Sequence, residues 1–543
     1  MSETATSSVN QSIWRRCSLI LWALLLLISI STVGDYGLSW DETFRFGDAD
    51  SKLHYYQELL AGNTPKPSSS SYPGFFDLPL AIVHEALPDW GTRSQKGHVW
   101  SLCFGLLGLL SAWRLTARIG GERAGFFALL FLSTLPRYYG HMFFNPKDIP
   151  LAGTYVFGVW ALVALFSRLP QPAWRWVLWI GVAAGLAMST RIAGFLVLCY
   201  FGLFVGLFLL CQLFTHQRKG SDLPQVIVAW ALRGAVSGAI GFVILYFFWP
   251  TLHQNPWQGA SASVATVQSY GWDGMVLMDG HFWEAQNLPV YYIPYWLLYT
   301  LPEHIIVLLA LGFALGAQKT LAFVKAKRAE EVPSLITRGV LLFSAIFPLL
   351  YLLWKDPVLY DGMRHFLFVL PSMACVAALS LEWGTRKMSR FGRKTYQFLL
   401  PLAAGLAALI VAIEMISLHP YQYVYFNRIS GGLHAAYSRD ETDYWGLSHK
   451  EAGEWLNQYI DDMDPDSGRV YRVHLRYTRW MLKEALDPQR FEMWQPREGA
   501  DFFVSVTRFN LHKSYPEATL LHTIEREGVP LCFIYAFPER SAE

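Results

Sequence analysis

Two adjacent carboxylates, Asp41 and Glu42, stand in Gly37-Leu38-Ser39-Trp40-Asp41-Glu42-Thr43, directly after the first hydrophobic segment, Ser18 to Val33. An ionised carboxylate at a membrane face can deprotonate a hydroxyl, although solvated loops also carry Asp-Glu pairs, so its meaning depends on what gathers beside it. The stretch Pro136-Arg137-Tyr138-Tyr139-Gly140-His141 through Asn145-Pro146-Lys147-Asp148 combines Arg, His, Lys and Asp. Asp148 opens a helix there, where an N-cap is the plainest use. Met188-Ser189-Thr190-Arg191 sets an arginine between two strongly apolar runs, where it must snorkel to water or meet an anion. Asp361-Gly362-Met363-Arg364-His365 precedes another apolar run. The N–H groups at a helix start favour an anion, and a bidentate guanidinium adds phosphate geometry. Tyr421 and Tyr425 lie in a tyrosine-rich segment, His419 to Asn427, that reads as an interfacial belt or as the lining of a lipid or sugar groove. Cations to hold a phosphate leaving group and a carboxylate to deprotonate an acceptor are what chemistry on a lipid-linked phosphate requires.

These residues can cooperate only if the intervening segments bring them to one side. The chain has 543 residues, 53% hydrophobic and 16% charged, with mean hydropathy +0.25; a soluble domain carries about 25% charged residues. Apolar blocks about twenty residues long read as membrane-spanning helices. After the first, they lie near 98–114, 124–141, 148–167, 175–190, 192–214, 225–249, 292–316, 337–354, 364–383 and 396–417, about eleven in all by window reading. With the N-terminus in the cytoplasm, the connectors 114–123, 168–175, 216–219, 319–338 and 384–394 face inward. All are basic, as the positive-inside rule requires. That parity needs the first segment to be a retained anchor rather than a cleaved signal peptide, the competing reading of basic residues before a short apolar core. It sends 35–97, 141–147, Thr190-Arg191, 250–291, 355–363 and everything after 417 to the extracytoplasmic side.

Net charge of +2 lacks the concentrated basic face of a nucleic-acid partner. The six cysteines have no metal-ligand spacing, and no disulfide framework is read. Residues 1–439 form the transmembrane unit and 440–543 a small extracytoplasmic α/β domain. The latter has a helix from Ser448 to Ile460 with Glu451 completing a capping box, strands at 470–475, 502–506 and 531–537, and a turn at Glu527-Gly528. In loop 35–97, helices are expected from Asp48 to Leu60 and from Phe75 to Leu87, joined by a flexible connector at Pro67 to Tyr72. Loop 250–291 carries Trp272-Asp273 and His281 to Glu284, suited to shaping a sugar site or to a re-entrant amphipathic segment.

At these residues the sequence resembles the polytopic GT-C-type glycosyltransferases of the protein-mannosyltransferase and lipid A aminoarabinose-transferase group. The matching pieces are Trp40-Asp41-Glu42, His141 through Pro150, Gly185 through Arg191, Arg364-His365 with Phe368 and Pro371, and Pro420 through Asn427 followed by Gly431-Gly432. The resemblance implies a polyprenyl-phosphate sugar as donor, transferred on the extracytoplasmic face to a glycolipid, glycan or protein. It implies Asp41 as base or acceptor-positioning residue, Glu42 shaping the same site, and Asp148 as second acidic residue. Lys147, Arg191, Arg364 and His365 would contact the donor phosphate; His141, Trp272, Tyr421 and Tyr425 would line a substrate groove. Some relatives use a divalent cation and others do not, so Asp41 and Asp148 are metal candidates with none assigned. Size and simple termini point to a bacterial inner membrane. A transporter or flippase of lipid-linked saccharides is the alternative, but such proteins usually show internal repeats and mid-membrane charges, whereas most ionisable residues here sit at loop junctions. A membrane scaffold would leave the gathering of cations and carboxylates unexplained.

Overall fold

The computed structural model describes residues 2–66, 72–170, 172–215, 223–257, 261, 271–390, 396–465, 468–476 and 479–538. Among these, nine helices are long and apolar enough to cross a membrane: Gln11–Thr32, Arg93–Gly120, Asp148–Phe166, Ile192–Phe214, Leu223–Phe248, Glu303–Ala326, Ala329–Lys355, Arg364–Met388 and Gln397–Ser417. Three of the expected segments are helical but shorter or broken. Trp174–Met188 is one short helix. The expected 124–141 splits into Glu122–Ser133 and Pro136–Phe144, because Pro136 lacks an N–H and opens the second helix at its start. The expected 292–316 splits likewise into Tyr292–Thr300 and Glu303–Ala326, around Pro302.

Asp148–Phe166 is the central helix, with 89% of its apolar window buried, against 17% for Leu223–Phe248 at the lipid-facing side. It approaches Arg93–Gly120 so closely that a Cβ on Gly153 would lie 2.3 Å from the Phe104 carbonyl oxygen. Close backbone packing through small residues is what holds helices together where lipid removes the hydrophobic drive. At about 1.5 Å per residue this helix spans most of a bilayer, so its two ends mark two faces. Near its C-terminal end, Arg118 donates to Ser167 at 2.6 Å, Arg123 pairs with Glu382 at 2.7 Å, Arg386 donates to the Gly120 carbonyl at 2.6 Å, and Gln11 accepts from the Glu122 N–H at 2.7 Å. Connectors 114–123 and 168–175, the start of 384–394 and the beginning of the amino-terminal helix therefore share one face; connector 216–219 lies outside the described residues. The expected outward loops meet at the other.

In the first outward loop the helix begins earlier than its apolar pattern indicates, at Trp40, and runs to Leu60. Asp41 and Glu42 thus occupy a helical first turn. Asp77–Ala86 follows, and Asp77 ties the two helices by accepting from Arg45 Nε at 2.9 Å and Lys52 Nζ at 2.7 Å. Most of the expected connector, 67–71, lies outside the described residues. In the second outward loop, β1 (Met275–Met278) pairs antiparallel with β2 (His281–Glu284), so His281 to Glu284 belong to a hairpin rather than to a re-entrant helix. Asp279 and Gly280 turn it with positive φ. Positions 258–260 and 262–270 of this loop are not described. The hairpin docks on the start of the tail, the Gly280 N–H donating to Arg439 O at 2.9 Å and the Glu441 N–H to Leu277 O at 3.1 Å.

The tail folds as a five-stranded sheet of β3 (Tyr471–His474), β4 (Phe491–Trp494), β5 (Phe502–Val506), β6 (Thr519–Arg526) and β7 (Val529–Ala536), ordered β4-β3-β5-β7-β6. β3 lies parallel to β4 and β5, and β7 antiparallel to β5 and β6. Glu527 and Gly528 make the expected turn with positive φ. The helix spans His449–Met463, but the expected capping box is absent because Ser448 is already helical. Asp443 receives the Leu447 and Ser448 N–H groups at 3.0 and 3.1 Å instead. Glu451 is spent on Tyr421 at 2.8 Å and Arg526 at 2.7 Å.

Candidate active site

Four separate elements deliver charge to one buried point. Asp41 comes from the first turn of Trp40–Leu60. Lys147 and Asp148 start the central helix, Arg191 follows Trp174–Met188, and Arg364 begins the 3-10 turn Arg364–Val369. Asn145 shapes the second delivery: its Oδ1 accepts from the Asp148 N–H at 2.8 Å and the Lys147 N–H at 3.1 Å, capping the helix in place of Asp148. The Asp148 carboxylate is thereby released for side-chain partners. The fourth delivery depends on Asp361 and Gly362, both at positive φ, which fold the chain back so that Arg364 faces inward.

The pairing is dense. Arg364 donates through NH2 to Asp41 Oδ2, through NH1 to Asp361 Oδ2 at 2.8 Å, and its Nε lies 3.5 Å from Asp148 Oδ2. Lys147 Nζ is 3.3 Å from Asp41 Oδ1, and Arg191 NH2 is 2.7 Å from Asp148 Oδ1. Arg191 meets an anion rather than snorkelling. Relative exposure is 5% for Asp41 and 2% for Asp148, Asp361 and Arg364, whereas the Lys147 and Arg191 side chains keep 14% and 19% and open the cluster to a ligand. Burial alone would push the Asp41 carboxyl up, but Arg364, Lys147 and Arg191 outweigh it and hold it well below the usual carboxylate range. Arg364 also lies over the face of Trp445, 4.8 Å from the ring centroid.

The other expected site residues divide. His365 packs its ring edge against Tyr360 at 4.7 Å beside the cluster. His141 sits one link away: Asn145 Nδ2 bridges its Nδ1 at 3.2 Å and Asp148 Oδ2 at 3.0 Å, and its Nε2 meets the Tyr444 hydroxyl at 3.1 Å. Trp272 lies on Tyr360 at 4.5 Å. Glu42 turns away from Asp41, accepting from the Ser39 N–H at 2.8 Å and facing His98 at 3.2 Å. Tyr421 and Tyr425 also turn away, toward Glu451 and Glu414. Tyr423 between them faces inward, its ring 5.6 Å from His141 and its hydroxyl on Asp443. Sequence reasoning also missed Asp361, Trp445 and Arg508. Arg508 donates to Asp361 Oδ1 at 2.6 Å and Trp445 Nε1 to Asp361 Oδ2 at 3.0 Å.

A divalent ion between Asp41 and Asp148 would have to displace Arg364, which already contacts both. Among the described residues no group of three His, Cys, Asp or Glu side chains forms around them. This donor set does not fit a resident metal.

The family profile for dolichyl-phosphate-mannose-protein mannosyltransferases matches residues 90–239, which carry Lys147, Asp148 and Arg191. Among solved structures, archaeal oligosaccharyltransferase AglB from Archaeoglobus fulgidus, in complex with an inhibitory peptide and a dolichol-phosphate, aligns over 92% of this chain and 70% of its own at 12% identity, with TM-score 0.50. The chain has the GT-C glycosyltransferase fold. Apo ArnT from Cupriavidus metallidurans aligns over 98% of each chain at 14% identity, with TM-score 0.47. No curated protein matches. The matched profile describes glycosyltransferases with a lipid-linked donor, the shared fold is a glycosyltransferase fold, and neither favours a transporter.

A titrating group borders the site. Glu441 is buried, with Oε1 3.8 Å from Arg508 Nε and Oε2 without a hydrogen-bond partner among the described residues. Burial pushes its pKa up to about 8; Arg508 offsets this in part, while Asp361 and Asp440 add to it. The folded chain therefore keeps a proton that an unfolded glutamate loses near about pH 4.3. Stability falls as pH rises between these values and levels off above the higher one. Glu441→Gln is expected to melt close to wild type at pH 5 and above it at pH 8; an equal difference at both values would contradict the assignment.

Proposed function

We propose that the chain transfers a sugar from a polyprenyl-phosphate donor to an acceptor hydroxyl, with Asp41 as base and with Lys147, Arg191 and Arg364 on the donor phosphate. The observation that carries this is the cluster in which the carboxylates Asp41, Asp148 and Asp361 and the cations Lys147, Arg191 and Arg364 converge from four elements. The acceptor oxygen attacks the anomeric carbon, and the bond from that carbon to the phosphate oxygen breaks. The electron pair leaves on polyprenyl phosphate, stabilised by the three cations, and the hydroxyl proton passes to Asp41. In the ligand-free arrangement Asp41 is a weak base, because its oxygens are held by Arg364 and Lys147. A donor phosphate competes for those cations, so its arrival raises the proton affinity of Asp41 as chemistry needs it. Asp148 orients Arg191 and Arg364. Glu42 is a positioning residue that fixes the helix start through Ser39.

The dolichol-phosphate bound by AglB belongs to the same ligand class. The basic connectors at the opposite face favour a cytoplasmic N-terminus, which sets the cluster and the tail on the extracytoplasmic side. A bacterial inner membrane, with a glycolipid, glycan or protein as acceptor, suits this reading. Mass spectrometry of membrane glycolipids and glycans from cells with and without the protein tests it. One sugar-bearing product should disappear with the gene, and the corresponding polyprenyl-phosphate sugar should accumulate. Unchanged profiles in both pools would contradict transfer.

A further inference from the structure

The C-terminal sheet domain reaches the cluster through one side chain. Arg508 follows β5 and precedes Phe509 and Asn510, which both adopt left-handed backbone conformations at φ 55°. Two consecutive non-glycine residues in this region are strained, and Arg508 beside the bend reaches the turn before Arg364 in the helical unit. There its NH2 donates to Asp361 Oδ1 at 2.6 Å and its NH1 to the Tyr444 carbonyl at 2.5 Å. Its guanidinium also lies 5.6 Å from the Trp272 ring centroid.

Asp361 divides its carboxylate between two parts of the protein. Oδ1 accepts from Arg508, while Oδ2 accepts from Arg364 and from Trp445 of the tail. Alternating charge then runs Arg508, Asp361, Arg364, Asp41, Lys147. All but the last are buried. Bonds in such a string polarise one another where the dielectric is low, and a buried charge stays in place only while its partners do. An Asp361 deprived of Arg508 would be balanced by Arg364 alone, which would draw that guanidinium off Asp41 and the phosphate position.

We propose that Arg508 is a positioning residue for the transfer site, fixing Asp361 and through it the Arg364 guanidinium, so that the C-terminal domain completes the active site. This rests on the donor-phosphate reading above. A domain merely tethered to the membrane unit would have no need to place a buried guanidinium two links from the reacting carboxylate.

The test measures undecaprenyl phosphate binding to the full chain in nanodiscs, for wild type, Arg508→Lys, Arg508→Met, Arg364→Met and the Arg508→Met/Arg364→Met double variant, with melting temperatures alongside. Arg508→Met should weaken binding about 10- to 100-fold, by analogy with the range seen for residues that orient metal ligands, and Arg508→Lys should weaken it less. In the Arg364→Met background, Arg508→Met should add less than about twofold, because both act through one group. A double variant that loses the product of the two single effects, or an Arg508→Met protein that binds like wild type, overturns the positioning role. Should Arg508→Met not fold, Asp361→Asn, which keeps the side-chain shape, takes its place in the same cycle. Absence of binding by wild type overturns the donor-phosphate reading itself, and the positioning role with it.

Discussion

Asp41→Asn is expected to abolish sugar transfer while leaving donor binding intact or strengthened. The amide matches the carboxylate in shape but cannot take up the acceptor proton, and removing a positioned base costs about 10²- to 10⁴-fold in rate. Asp41 is also the carboxylate that neutralises Lys147 and the NH2 of Arg364. Its loss leaves those cations under-compensated, so a polyprenyl phosphate should bind at least as tightly as to wild type. Loss of rate without loss of affinity separates a base from a structural ion pair, whose removal would weaken both. Single-turnover release of polyprenyl phosphate, with affinity measured in parallel, reads the two quantities, and a variant turning over at the wild-type rate would remove Asp41 from the chemistry. The same substitution should change acid sensitivity. The Asp41 carboxyl is held below its unfolded value, so its contribution to stability is complete above about pH 4 and fades as pH falls below it. That part of the acid transition should be missing in the asparagine variant.

Arg364→Met should be the most damaging single change. The guanidinium contacts Asp41, Asp148 and Asp361, and its removal leaves each of three buried carboxylates with one cation fewer. Deleting one partner of a buried ion pair costs about 3–5 kcal/mol, and here three pairs share that partner. A large drop in melting temperature should accompany weakened, still measurable polyprenyl phosphate binding. Lys147→Met supplies the contrast. Its ammonium is partly exposed and, among the described residues, has Asp41 as its one carboxylate partner and lies 5.0 Å from the Tyr72 ring centroid, so the stability cost should stay within about 1 kcal/mol while donor affinity still falls. Equal melting temperatures for Arg364→Met and wild type would contradict the bridging geometry.

The cations of the cluster were legible in the sequence because charge stands out in an apolar chain, and because orientation sorted the loops into two sets before any contact was known. The breaks at Pro136 and Pro302 blurred the segment boundaries without changing which loops face each other. The carboxylates were harder to assign. Asp41 and Glu42 are neighbours in sequence, but successive residues on a helix project about 100° apart, so the pair divides once the helix is found to start at Trp40. Only Asp41 reaches the cations. The tyrosines of 421–425 alternate for a similar local reason, leaving Tyr423 inward and its neighbours outward. Asp361 sits beside Arg364 in the sequence, yet a turn aspartate before glycine carries no sign that it is buried. Arg508 and Trp445 were invisible because their contacts close loops of more than eighty residues, and no local pattern reports such a distance. The strands β4 and β6 escaped for want of a clean apolar alternation.

The central claim is that Lys147, Arg191 and Arg364 together hold the phosphate of a lipid-linked donor beside Asp41. A structure of the wild-type chain in nanodiscs with undecaprenyl phosphate tests it most directly. Phosphate density within hydrogen-bond distance of all three cations, with Asp41 drawn off at least one of its present partners, is the predicted result. Phosphate density elsewhere on the protein, with the Asp41–Arg364 and Asp148–Arg191 pairs unchanged, would contradict it.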